Sequence, residues 1–302
     1  MHSYQQLPET ALRFLQQSLG VSPQEITGVQ PTSAGMTNRS FRLCLAEQEY
    51  LLRVPGEGTD QLLNRRQEAE TYRTLNGDPI SDHVLAIDPD TGYKLTAYWQ
   101  GTRNCDPENP EEVCRCMALL RAFHEKKLTV PHSFDLYGEI SRYEALMGGK
   151  SVHPDYREVR GRCERLHAFL DRQEKQLCLT HIDAVPDNFL FVSQNGEETL
   201  HLIDWEYAGM NDPHLDIAMF AIYAGYDREK LDRLMDWYFV DGCSPAVRTK
   251  IYCYVALSGL LWSNWCEYKK ALGVDFGDYA EMQYRYAAEY SRLVLEKGGV
   301  AP

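Results

Sequence analysis

No two cysteines in this 302-residue sequence are spaced C-x-x-C, although nine are present. The closest pair, Cys114-Arg115-Cys116, lies in a helical-looking segment with no second half-site, so the spacing argues against a zinc centre. Most of the nine sit in apolar stretches and read as small core residues. Long hydrophobic runs are also missing. Nothing approaches the roughly 18 uninterrupted apolar residues of a membrane span, so no membrane insertion is expected. The opening "MHSYQQLPETALRFLQQ" has neither a basic leader nor a long apolar segment. The expectation is a reduced, cytoplasmic protein. Positive charge is scarce, with 31 Lys and Arg against 44 Asp and Glu and a net charge of −13. That balance argues against nucleic acid as a partner. Internal repeats and low-complexity segments are absent.

Apolar residues are not scarce. They make up 44% of the chain, enough for a sizeable core. Leu12, Leu15 and Leu19 share one face of a helix over 8–19, with Phe14 nearby. "SFRLCLAEQEYLLRV" (40–54) alternates around a polar centre, as a β-hairpin does. A helix is expected over 59–75, with Thr59 or Asp60 as N-cap. Strand-like runs at 83–88 and 93–99 follow, joined by the turn "PDTG". The composition then shifts. Residues 106–127 and 156–176 read as amphipathic helices, and 212–297 is nearly all helical. "FLFVSQNGEETLHLIDW" (189–205) is a hairpin with Asn-Gly near its tip. A boundary is expected near 99–106, giving an amino-terminal part over 1–101 and a carboxy-terminal part over 102–302.

The chemistry concentrates in "LTHIDAVPDNFLF" (179–191). Asp183 and Asn188, five apart in a tight loop, can converge on one point. A carboxylate there can accept a proton from a hydroxyl, and an amide oxygen can ligate Mg²⁺. A polar loop satisfying its own turns is the plainer alternative. Asp204 follows a buried-looking strand, where a carboxylate is costly unless it is paired or metal-bound. The hairpin brings Asn188 and Asp204 to the same end of two adjacent strands. Hard oxygen ligands so placed suit Mg²⁺ on a nucleotide triphosphate.

"HIDAVPDN" and "LIDWEYAG" resemble the catalytic and metal-binding segments of the choline/ethanolamine kinase family, within the wider aminoglycoside-phosphotransferase and protein-kinase-like fold. Other segments agree in order. "SAGMTNRSFRL" (33–43) is similar to the family's nucleotide loop, although it has one glycine and not G-x-G-x-x-G. "YLLRVPG" carries Arg53 where the fold places its phosphate-binding basic residue, and "LLNRRQEAETYRTL" carries Glu68, the partner expected for it. "LTAYWQG" (95–101) sits where a hinge runs beside the adenine. "ALLRAFH" (118–124) and "DPHLDIAMFAIY" (212–223) also fit.

The resemblance implies an α+β, bilobal protein-kinase-like fold with a β-rich N-lobe and a mostly helical C-lobe. It implies ATP as co-substrate with Mg²⁺, and Asp183 as catalytic base. Asn188 and Asp204 become metal ligands. Ser33, Gly35, Met36, Thr37, Asn38, Arg53, Glu68, Ala97 and Tyr98 become nucleotide-site residues. His181 and Asp216 become structural supports of the loop. Asp187 and Glu206 receive no role.

In "LSGLLWSNWCEYKKALG" (257–273), Trp262 and Trp265 lie three apart on one helix face. Aromatic residues at this spacing are commonly core. Such a pair can also bind a quaternary ammonium by cation–π attraction, as the family's W-x-x-W pair does, with Tyr207 and Tyr223 as further candidates. The expected partners are therefore ATP and choline or a related amino-alcohol. The alternatives are ethanolamine, thiamine, a sugar or an aminoglycoside as acceptor, the last with some support from the acids of 267–282, and a non-catalytic pseudokinase.

Overall fold

The computed structural model of the protein describes residues 4–32, 38–56 and 63–296. Two compact units divide the chain. The first comprises residues up to Asn104 together with Asn188–Ala208, and the second comprises Cys105–Asp187 and the residues from Gly209 onward.

In the first unit, α1 (Glu9–Leu19) buries Ala11, Phe14 and Leu15 and ends on Gly20, whose φ of +69° lets its N–H reach Gln16 O. β1 (Thr27–Pro31), β2 (Asn38–Leu45), β3 (Gln48–Pro55), β4 (Val84–Ile87) and β5 (Lys94–Ala97) form an antiparallel sheet in the order β1-β2-β3-β5-β4. The β2–β3 hairpin pairs without slip from Asn38↔Pro55 to Leu45↔Gln48. Its two-residue turn puts Ala46 and Glu47 at φ +46° and +68°. That geometry matches the strand twist, although neither residue favours it. Phe41, Leu43, Leu52, Val54 and Leu95 pack with α1 into one core.

The helix α2 (Arg65–Thr74) starts later than the sequence suggests. Asn64 is its N-cap, accepting from Gln67 N–H at 3.3 Å, and the expected caps Thr59 and Asp60 lie outside the described residues. β6 (Thr102–Asn104), β8 (Phe189–Gln194) and β9 (Glu197–Leu202) form a second sheet, β6-β8-β9. Asn195-Gly196 turns the β8–β9 hairpin at φ +52° and +82°. This sheet is why 188–208 groups with the first unit: Phe191 pairs with Arg103, and Leu202 N–H bonds Ile80 O.

The second unit is mostly helical: α3 (Pro110–Glu125), α4 (Leu136–Leu146), α5 (Tyr156–Asp171), α6 (His214–Tyr223), α7 (Arg228–Tyr238), α8 (Pro245–Ala271) and α9 (Asp278–Glu296). The second of the two amphipathic helices stops at Asp171, short of the expected 176. β7 (Cys178–Thr180) and β10 (Gly209–Asn211) form a short antiparallel pair. The long helix α8 is buried continuously from Lys250 to Cys266, so its apolar character runs all round and it forms the unit's centre. Its buried Lys250 is neutralised by Asp212 at 2.7 Å. Among the described residues no helix is long and apolar enough to cross a membrane, and the nine cysteines are free thiols.

Candidate functional site

In the first unit, Arg53 on β3 meets Glu68, in the first turn of α2, with two parallel bonds: Nη1 to Oε1 at 2.5 Å and Nη2 to Oε2 at 2.7 Å. Both side chains are buried, with 6% and 1% exposure. A fork-on-carboxylate pair satisfies both groups where water cannot. Burial tends to raise the Glu68 pKa, and Arg53 overcomes it and holds the carboxyl below its usual range.

Arg65, also at the start of α2, reaches Glu68 and Glu206 at 3.2 Å each. It donates to Asn38 Oδ1 at 3.2 Å, and Asn38 Nδ2 donates to Glu206 at 3.0 Å. Gly92 makes room for this packing. Its φ is +74°, and a Cβ there would fall 2.7 Å from Arg65 Nε. Its carbonyl accepts from Arg53 Nη2 at 3.2 Å.

Asp204 stands beside this network, 3.6 Å from Arg53 and 38% exposed, with a left-handed φ of +66°. Ile203 N–H bonds Asn188 O at 2.9 Å, so Asn188 and Asp204 do meet at one end of the β8–β9 hairpin. Oxygen atoms of Glu68, Asp204 and Glu206 lie within 4.8 Å of one another. Arg53 occupies both oxygens of Glu68, and Asn38 and Arg65 hold Glu206. Asp204 is the carboxylate of the three left most open. Burial, then the Asp204 charge, push the Glu206 pKa up against the pull of Arg53 and Arg65.

Ser33, Gly35, Met36 and Thr37 lie outside the described residues. Ala97 ends β5 and Tyr98 follows it, and their N–H groups are committed to His83 O and Glu49 O, both at 3.0 Å. A base edge would have to use other groups of this segment. Tyr207 belongs to the first unit.

In the second unit, the loop bearing Asp183 hangs from a buried carboxylate on α6. Asp216 is fully buried and accepts from His181 N–H at 2.9 Å and Ile182 N–H at 2.7 Å. His124 Nε2 is 2.9 Å from the same carboxylate. These donors compensate its desolvation. They also hold Ile182 at φ +71°, a conformation costly for a β-branched residue and kept only where the surroundings impose it. His181 is itself fully buried.

Asp187 accepts from Tyr223 O–H at 2.6 Å. The Tyr223 ring lies 5.8 Å from Tyr279. Burial, then the charges of Cys266, Asp183 and Tyr223, push the Tyr279 hydroxyl well above its ordinary pKa. Trp262 and Trp265 are buried and meet edge to face at 5.6 Å, and Trp265 lies 4.7 Å from Phe276. Trp262 Nε1 donates to Met219 Sδ at 3.2 Å.

Sequence reasoning missed Arg65, Phe276 and Tyr279 and gave Glu206, Asp187 and His124 no role. Arg65 had a signal, lying three residues before Glu68 on one helix face. Phe276 and Tyr279 stood in a segment read for its acids.

Residues 29–233 match the family described as Choline/ethanolamine kinase. Protein LicA of Haemophilus influenzae is 27% identical over 266 residues, covering 82% of this chain and 75% of that protein. The crystal structure of choline kinase LicA from Streptococcus pneumoniae is similar with a TM-score of 0.80 at 26% identity, covering 94% of this chain and 98% of that one. A LicA structure in complex with AMP matches with a TM-score of 0.79 at 26% identity, covering 95% and 100%.

Proposed function

The chain belongs to the choline/ethanolamine kinase family, and from that premise we propose that it transfers the γ-phosphoryl group of ATP to the hydroxyl of choline, giving phosphocholine and ADP. Asp183 acts as the base that takes the hydroxyl proton. Asp216 and His124 orient the loop that carries it. Arg53, held by Glu68, directs its charge at the nucleotide phosphates. Asp204 and Asn188 offer hard oxygen donors that fit Mg²⁺, which when bound neutralises phosphate charge. Localisation in the cytoplasm accords with this substrate pair.

The observation that supports the acceptor is an aromatic series in the unit that carries Asp183. Tyr223 bonds Asp187, four residues on from Asp183, and its ring meets Tyr279, while Trp262, Trp265 and Phe276 form a second run of ring contacts. Trimethylammonium spreads its charge over methyl groups that pack on rings, whereas a primary ammonium keeps its water. An aminoglycoside calls for several converging carboxylates.

A panel of choline, ethanolamine, thiamine and an aminoglycoside, read by acceptor-dependent ADP release with Mg²⁺ and ATP, tests this. Choline is expected to give the highest kcat/KM. A preference for another acceptor rejects the substrate, and no release with any of them rejects the kinase reading.

A further inference from the structure

A cavity of about 550 Å³ opens in the helical unit on the side of His124 that faces the ends of α3 and α7. Its size is within the range of about 300–1,000 Å³ found for small-molecule sites. Its inner wall is aromatic: His124, His214, Tyr238 and Phe239. The His214 ring is 5.2 Å from Phe239, and burial lowers its pKa to about 4, so the wall is uncharged there at neutral pH. Leu177 and Val240, 55% and 70% exposed, stand among the lining residues as an apolar rim. Two cations, Arg121 and Lys127, line the α3 side together with Glu125, and Asp241 lines the α7 side; both carboxylates are exposed to water at the rim. Arg121 gives one bond, to Tyr238 O at 3.2 Å, and approaches Glu125 only to 3.8 Å. A guanidinium has five N–H donors, so several remain for a ligand.

One wall of this cavity belongs to the support of the Asp183 loop. Asp216 accepts from His124 Nε2–H, so in the neutral ring Nδ1 accepts the Tyr238 O–H, at 2.8 Å. The next bonds along are those from His181 and Ile182 N–H to Asp216. The connection from cavity to loop is thus Tyr238, His124, Asp216 and two backbone amides, all in one compact unit.

We propose that this cavity is an effector site for a small aromatic anion, and that occupancy there loosens the Asp183 loop through Tyr238 and His124. The rings and the apolar rim take the body of the ligand, and Arg121 and Lys127 take its charge. A ligand lying on Tyr238 competes for the hydroxyl that orients His124.

The probe is 1-anilinonaphthalene-8-sulfonate, titrated by fluorescence with choline and ADP saturating. One saturable site is expected. Binding falls about tenfold or more in Arg121→Gln, as loss of a charge-assisted bond implies, and also in Val240→Glu. The uncharged parent, N-phenyl-1-naphthylamine, binds at least about tenfold more weakly than the sulfonate by the same bond. Coupling is read by amide hydrogen exchange at His181 and Ile182, which occupancy speeds in the wild type. In Tyr238→Phe the dye still binds but the exchange rates no longer respond. Where choline turnover is measured, kcat falls with occupancy. Dye binding indifferent to both cavity variants, or exchange unchanged at full occupancy, overturns the proposal. Both readouts are independent of turnover, so failure to phosphorylate choline would reject the proposed reaction and leave this site to its own test.

Discussion

The loop that carries Asp183 is held by residues on either side of it. Val185 N–H bonds its carbonyl at 2.8 Å, and Ile182 before it is pinned in a left-handed conformation by Asp216. The backbone geometry on either side thereby fixes where the side chain starts. Asp183→Asn keeps the shape and removes the proposed base. Turnover is expected to fall by about 10² or more while ATP affinity stays nearly constant. Calorimetric ATP binding beside steady-state turnover checks both halves, and near-normal turnover in a folded variant would refute the assignment.

At the scale of elements, α8 is the member on which packing depends and to which the proposed acceptor recognition is assigned. Gly259 lies against α9 so closely that a Cβ would meet Gln283 O at 2.6 Å and Ala287 N at 2.9 Å. These are backbone atoms of a helix and cannot swing aside. Gly259→Ala ordinarily gains about 1 kcal/mol of helix propensity. Here overpacking of about 1–3 kcal/mol outweighs it, and a drop of several degrees in Tm is expected. A rise in Tm would show that the helices separate cheaply.

Trp262 and Trp265, on the same helix, separate a recognition role from a packing role. If their rings face the ammonium, replacing either with Ala raises the KM for choline, by tens-fold when the lost contact nears about 2 kcal/mol. KM for ATP then barely moves. A purely packing role instead lowers Tm and damages the kinetics of both substrates. Tm and the two KM values, measured together, decide between them.

For the whole molecule, acid sensitivity follows from His214. Burial, helped by Lys250 and His124 and opposed by Asp212, lowers its pKa from 6.5 to about 4. Above pH 6.5 the ring is neutral in both folded and unfolded chains. Between 6.5 and about 4 the unfolded chain takes up a proton that the folded one refuses, so stability falls as the pH drops through that window. The loss from this group approaches about 3 kcal/mol. His214→Gln, which cannot titrate, should flatten that part of the Tm–pH curve. A variant curve parallel to the wild type would assign the acid sensitivity elsewhere.

Local patterns were legible because neighbours in sequence decide them. The α1 face, the Asn195-Gly196 turn and the alternation of β2 and β3 follow from period and turn chemistry. The hairpin predicted from 189–205 also carried the meeting of Asn188 with Asp204, since pairing of two adjacent strands fixes which ends coincide. Glu68 opposite Arg53 was expected only through the family's pattern, and the structure supplies its two-bond geometry. The contacts that complete the sites were not legible. Glu206 lies 168 residues from Asn38 and 141 from Arg65. Tyr238 lies 114 from His124. No helical or strand period spans such distances. Which buried charge found which partner was decided when the elements within each unit packed, because a carboxylate or guanidinium removed from water must be met by whatever donor or acceptor the fold brings beside it.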